Sequence, residues 1–254
     1  MTPSAAIATD CLTKVFRDSR GETRCALDQL SFECMPGEIF GLLGANGAGK
    51  TTAMRILSTV LKPTAGSASV AGCDVVLDPG GVRRKLGFLS ANTGLYERMT
   101  AWEHVEYFAR LHDLDGAHLE VRMETVFAAL RMNDFRDRLV ARLSTGMRQK
   151  VSIARAIVHD PPVLIFDEPT LGLDILVARN VLEQTEKLRA EGKCILYSTH
   201  VFREVERLCD RIAILHRGRM LAAGAPAALL AEHGSPDLEA LFFNLVDRAE
   251  SVLT

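Results

Sequence analysis

The chain has 254 residues, with 30 lysine and arginine side chains against 32 aspartates and glutamates. Its length suits one to two domains with a large core, and 48% hydrophobic with 24% charged residues excludes disordered, collagen-like and coiled-coil chains. The net charge of -2 offers no electrostatic reason to expect nucleic acid as a partner.

Short apolar runs alternate with helix-length amphipathic stretches, the pattern of an α/β protein with a mostly parallel sheet. Two strand-like segments, 11–17 and 26–35, open the chain as an antiparallel β part, and a turn at Pro36-Gly37 follows. Residues 39–43 are wholly apolar and read as a buried central strand; a glycine-rich loop then leads into a helix over 49–60. Between 92 and 142 the apolar residues recur at helical spacing (Val105, Phe108 and Leu111, then Val121, Val126, Ala129 and Leu130), which predicts a helical subdomain. Strands near 163–166, 194–198 and 212–215 resume the α/β rhythm, with a helix over 175–188 between the first two. The expected organisation is a core over 1–91 and 143–224, a helical subdomain over 92–142 and a tail of one or two short helices over 225–254.

The longest uncharged stretch, residues 220–231, falls short of the eighteen or so that a membrane span needs. No basic and then apolar region opens the chain, so no secretory signal is expected and a cytosolic protein is. Six scattered cysteines without a CxxC spacing read as small half-buried hydrophobes in a reducing compartment.

Gly44-Ala45-Asn46-Gly47-Ala48-Gly49-Lys50-Thr51-Thr52 matches G-x-x-x-x-G-K-[ST], after a buried strand and at the start of a helix. Glycines there let the backbone wrap so that successive N–H groups point at phosphate oxygens, and the helix dipole adds positive potential. Lys50 would reach the β- and γ-phosphates, and Thr51 would place its hydroxyl on Mg²⁺. This predicts a nucleotide site, the alternative being a structural glycine-rich turn.

In Pro162-Val163-Leu164-Ile165-Phe166-Asp167-Glu168 two carboxylates end an apolar strand, the edge at which α/β sheets bind ligands. Asp167 can hold Mg²⁺ through water, and Glu168 is placed to take a proton from attacking water. An acidic pair at a strand end also serves as a helix cap or surface turn. Ser144 and Gly146 open a further helix with apolar Val151, Ala154 and Val158. Ser144 alone reads as an N-cap, but a Ser-x-Gly helix start is also an anion site able to contact a phosphate from outside the pocket.

In this order, the loop, the Ser-x-Gly helix start and the carboxylate pair resemble those of ABC transporter ATPase subunits, over about residues 12–219. The octet from Leu143 is similar to the family's signature, Leu-Ser-Gly-Gly-Gln at its core, and departs from it at Thr145 and Met147. The resemblance implies a P-loop NTPase core and ATP with Mg²⁺. It also implies a head-to-tail homodimer, in which Ser144 and Gly146 contact the γ-phosphate held by the other copy. Leu171-Gly172-Leu173-Asp174 resembles the D-loop that joins the two sites, and His200 the switch histidine that touches the γ-phosphate. Phe16 occupies the adenine-stacking position, usually Tyr, where a π-face suits the base; the alternative is a core strand residue. At Ala91 the family has a Gln that helps hold the metal; an alanine coordinates nothing, and Ser90 and Asn92 are its polar neighbours.

Residues 87–100 and 198–210 are similar to the ATPase chains of two-component exporters, especially the sodium-extrusion (Nat-type) group. Relatives of that wording serve drugs, peptides and polysaccharides as well as sodium. Tyr96, Met99 and Trp102 suit a groove for a helix of the membrane subunit, or else the helical subdomain's own core. The expected function is therefore an exporter ATPase that drives a separate permease from the inner face of the membrane. The alternatives are an importer ATPase and a soluble ABC ATPase acting on ribosomes, DNA or iron–sulfur assembly.

Overall fold

The computed structural model describes residues 4–17, 21–90 and 94–251. In chain order it contains β1 (Ile7–Arg17), β2 (Thr23–Cys34), β3 (Ile39–Leu43), α1 (Lys50–Leu57), β4 (Ala65–Val70), β5 (Cys73–Asp74), α2 (Pro79–Lys85) and β6 (Leu86–Ser90). There follow α3 (Ala101–Leu111), α4 (Gly116–Ala129), α5 (Thr145–Ile157), β7 (Val163–Asp167), α6 (Ile175–Ala190), β8 (Cys194–Thr199) and α7 (Phe202–Leu208). The chain closes with β9 (Arg211–His216), β10 (Arg219–Gly224), α8 (Pro226–His233) and α9 (Leu238–Ser251).

Six strands form one sheet in the order β10-β9-β3-β8-β7-β6, parallel except for β10. Four form an antiparallel sheet, β2-β1-β4-β5. Every residue of β3, β7 and β8 is buried, as a parallel strand covered on both faces requires. Their side chains divide with a period of two. Phe40, Leu42, Val163, Ile165 and Leu196 enter one core with α1 and the antiparallel sheet. Ile39, Leu164, Phe166, Ile195 and Tyr197 enter the other, with α3 to α7 and the C-terminal helices. The two sheets are joined where Asp28 N–H donates to Gly218 O (2.9 Å) and Arg219 Nε meets Asp28 Oδ2 (2.7 Å).

The α/β reading and its antiparallel opening hold, with the first strand beginning four residues earlier than its apolar pattern shows, at Ile7 rather than Cys11. Elements absent from that reading are β4, β5, β6, β10, α2 and α7. Strand β4, Ala-Gly-Ser-Ala-Ser-Val, buries only Ala68 and Val70, so it has almost no apolar signal and is held by pairing with β1. Helix α3 begins with a reciprocal cap: Glu103 N–H donates to Thr100 Oγ1 (3.1 Å) and Thr100 N–H to Glu103 Oε2 (2.8 Å). Among the described residues, no helix is long and apolar enough to cross a membrane.

His104 on α3 is fully buried between the rings of Tyr96 (5.6 Å) and Phe108 (5.2 Å), and neither ring nitrogen has a hydrogen-bond partner. Burial, reinforced by the Arg155 charge, lowers it from 6.5 to about 4. Burial likewise holds His159 at about 4. Both are neutral in the folded chain and bind a proton near pH 6.5 once unfolded. Their contribution is therefore complete above about pH 6.5 and is lost as the pH falls toward 4. Urea unfolding at pH 7 and pH 5 checks this: His104→Leu is expected to lose less stability over that interval than the wild type. An equal loss removes His104 from the account.

Candidate functional site

The carboxyl ends of the central strands meet at one edge because of their register. Ser90 lies beside Asp167, Asp167 beside Ser198, and Leu43 beside Thr199. Beyond β3 the chain turns through the glycine-rich loop into α1. A Cβ on Gly44 would stand 2.5 Å from Leu215 O, and one on Gly49 would stand 2.7 Å from Ala26 O; Gly49 also has φ 112°. Neither position admits a side chain, so the loop packs against β9 and β2.

Lys50 starts α1 and is nearly buried. Its Nζ donates to Gly44 O (2.6 Å) and Ala45 O (3.3 Å) and lies 3.1 Å from Glu168 Oε1. Glu168 Oε2 is 2.8 Å from His200 Nδ1. Thr51 Oγ1 donates to Asp167 Oδ1 (3.1 Å), which also accepts from Ser198 Oγ (2.8 Å). Ser198 Oγ in turn accepts from Glu168 N–H (3.0 Å). Glu168 holds a left-handed backbone, φ 51°, a strained setting for a residue that is not glycine.

The cleft above this cluster has a volume of about 400 Å³ and is lined by the loop, Thr51, Thr52, Ser90, Asp167, Glu168 and Leu171. Phe16, Arg24 and Ala26 of the antiparallel sheet form its opposite wall. Phe16 is 40% exposed, so it is a wall residue and not a core one. Gly44, Asn46, Gly47, Gly49, Lys50, Thr51, Thr52, Asp167, Glu168, His200 and Phe16 are thus brought together. Thr51 and Asp167 present adjacent oxygens, a hard donor set that fits a divalent cation such as Mg²⁺.

Ser144, Gly146 and Asp174 stand apart from the cleft, at the N-termini of α5 and α6. These two helix starts touch: a Cβ on Gly146 would lie 3.0 Å from Val177 Cγ2. Ser144 Oγ accepts from Met147 N–H (3.3 Å), and Asp174 Oδ1 accepts from Leu176 and Val177 N–H (3.0 Å each). In this chain by itself both side chains cap their own helices.

Ala91 and Asn92 lie outside the described residues; Ser90 lines the cleft. Trp102 packs on Phe127 (4.8 Å) beneath the Arg136 guanidinium (3.7 Å). Tyr96 instead lines a groove of about 390 Å³ with Phe88, Phe108, Arg155 and His159. Met99 is half-buried.

Sequence reasoning missed Ser198, Arg24 and Glu204. Buried Glu204 of α7 accepts from Thr170 Oγ1 (2.6 Å), Thr199 Oγ1 (2.7 Å) and Tyr197 OH (3.1 Å). It ties the segment after Glu168 to the strand end that carries His200. Ser198 had a signal, its place at the end of an apolar strand; the partners of Glu204 lie on β8 and in the segment after β7 and left none.

The description "ABC transporter" belongs to the family model that matches residues 27–171. The ABC transporter ATP-binding protein NatA of Bacillus subtilis is 40% identical over 244 residues, 96% of this chain and 98% of that protein. A Nod factor export ATP-binding protein I of Paraburkholderia xenovorans is 38% identical over 94% of this chain and 77% of its own length. Among solved structures, an ATP-binding subunit of an ABC transporter superposes with a TM-score of 0.84 at 31% identity, covering 95% of this chain and 99% of that one. A dimeric ATP-binding cassette in a post-hydrolysis state with ADP and Pi gives 0.77 at 26% identity, covering 86% and 98%. With the family matched over more than half the chain and a relative aligned along nearly all of it, this protein belongs to the ABC transporter family as an ATP-binding ATPase chain.

Proposed function

We propose that the chain is the ATPase of an exporter, working as a head-to-tail homodimer that drives a separate membrane permease from the cytoplasmic face. The observation that carries its ATPase part is the Lys50–Glu168 pair lining the cleft, with His200 against the second Glu168 oxygen. Phosphoryl transfer needs a cation on the terminal phosphates and a base beside the attacking water, and these groups supply both. In the free chain Glu168 occupies Lys50, so an incoming γ-phosphate exchanges one anion for another. That exchange frees the Glu168 carboxylate to take a proton from water, with His200 holding its second oxygen. Thr51 and Asp167 would hold Mg²⁺, which when bound neutralises charge on the phosphate oxygens.

Support for two copies comes from Ser144 and Gly146, which are outside the cleft of their own chain, and from exposed apolar side chains beside Asp174. Leu171, Ile175 and Leu176 are exposed on that side, a patch suited to burial against a second copy. Support for export comes from relatives whose names describe it: the Nod factor export protein above, and the daunorubicin/doxorubicin resistance protein DrrA of Streptomyces peucetius, 35% identical over 98% of this chain. The groove at Tyr96 is the proposed seat of the permease.

Two substitutions test the site. Glu168→Gln removes both the base and the anion that competes for Lys50. Turnover is expected to fall about a hundredfold or more while ATP binds more tightly than to the wild type. Hydrolysis at the wild-type rate eliminates Glu168 as the base. Ser198→Ala leaves the loop intact but removes the hydroxyl that sets Asp167 and the Glu168 backbone, at a cost of about 1–2 kcal/mol in stability. Its kcat should drop about tenfold with little change in ATP affinity; an unchanged kcat shows that the strand ends hold both carboxylates without it.

A further inference from the structure

We propose that Arg24 is a further nucleotide-binding residue, which holds the phosphate chain of the nucleotide from the wall opposite the glycine-rich loop. The inference rests on the nucleotide reading of the cleft and adds a contact that none of its motif residues supplies.

Arg24 and Phe16 are direct cross-strand partners in the β1–β2 pair. Arg24 and Ala26 alternate along β2 and both line the cleft. The arginine side chain crosses that space: a Cβ built on Gly47 would lie 3.8 Å from Arg24 Nη2. The guanidinium therefore sits between the aromatic wall and the phosphate loop. With the base on Phe16 and the terminal phosphates at Lys50, the α- and β-phosphates pass through this interval.

An exposed arginine on a strand is ordinary, and its position and company decide the matter. Among the described residues the Arg24 side chain makes no hydrogen bond or ion pair, although the cleft contains two carboxylates. Asp167 is engaged by Thr51 and Ser198, and Glu168 by Lys50 and His200. Lys50 is itself divided between two carbonyls and Glu168. One divided ammonium leaves much of a polyphosphate's charge uncompensated. A planar guanidinium with paired donors is suited to bridging two phosphate oxygens.

The test is equilibrium binding of ATP and of ADP in EDTA, where no turnover occurs, to the wild type, Arg24→Ala and Arg24→Lys. Arg24→Ala should weaken ATP and ADP alike, each about tenfold, and the loss should appear in the KM for ATP rather than in kcat. Arg24→Lys retains the charge but not the paired donors, and should recover only part of the affinity. The side chain is exposed, so the free alanine variant should melt with the wild type, which separates lost binding from lost folding. Alanine-variant affinities within twofold of the wild type overturn the role of Arg24. A wild-type chain that binds neither nucleotide overturns the nucleotide reading itself, a distinct result.

Discussion

Parallel strands covered on both faces leave no place for a charged side chain except at their ends. In β3, β7 and β8 every interior residue is buried, and a charge among them would lose its hydration with no partner in reach. The first positions with partners in reach are the carboxyl ends, where buried Asp167, Ser198 and Thr199 follow the last apolar residues and are hydrogen-bonded. Chemistry gathers at this edge because the sheet excludes it elsewhere.

Charges gathered there still need partners, and the free chain supplies them from within. Lys50 balances Glu168, His200 takes the second oxygen, and Asp167 is shared by two hydroxyls. Such a cluster is preorganised but self-occupied, so a terminal phosphate reaches Lys50 by exchange with Glu168. The helix starts at Ser144 and Asp174 follow the same economy: in the isolated chain each side chain satisfies its own backbone. In the proposed dimer, the exposed N–H groups of α5 would face a phosphate held by the other copy.

Glu204 shows how the edge is kept in shape. A buried carboxylate accepting three hydroxyl protons holds together the segment after Glu168, the end of β8 and the start of α7. The left-handed backbone at Glu168 persists inside this frame. Strain at one residue is tolerable when its neighbours on both sides are tied down.

Residues contiguous in the chain were legible without coordinates. The glycine-rich loop, the carboxylates after an apolar strand, the Ser-x-Gly helix start and the alternation of strands and helices all depend on local spacing, which hydropathy and turn chemistry display directly. That information located the glycine-rich loop and most of the strands, and the same motifs carried the resemblance to the family. Weakly apolar β4 and short α7 escaped because their formation depends on what they pair with or pack against. The meeting of Arg24 with Gly47, of Ser198 with Asp167 and Glu168, and of Glu204 with its three hydroxyls was decided by tertiary structure alone. Each joins residues distant in the chain through sheet order and strand register, quantities set by how whole elements pack and carried by no local pattern of residues.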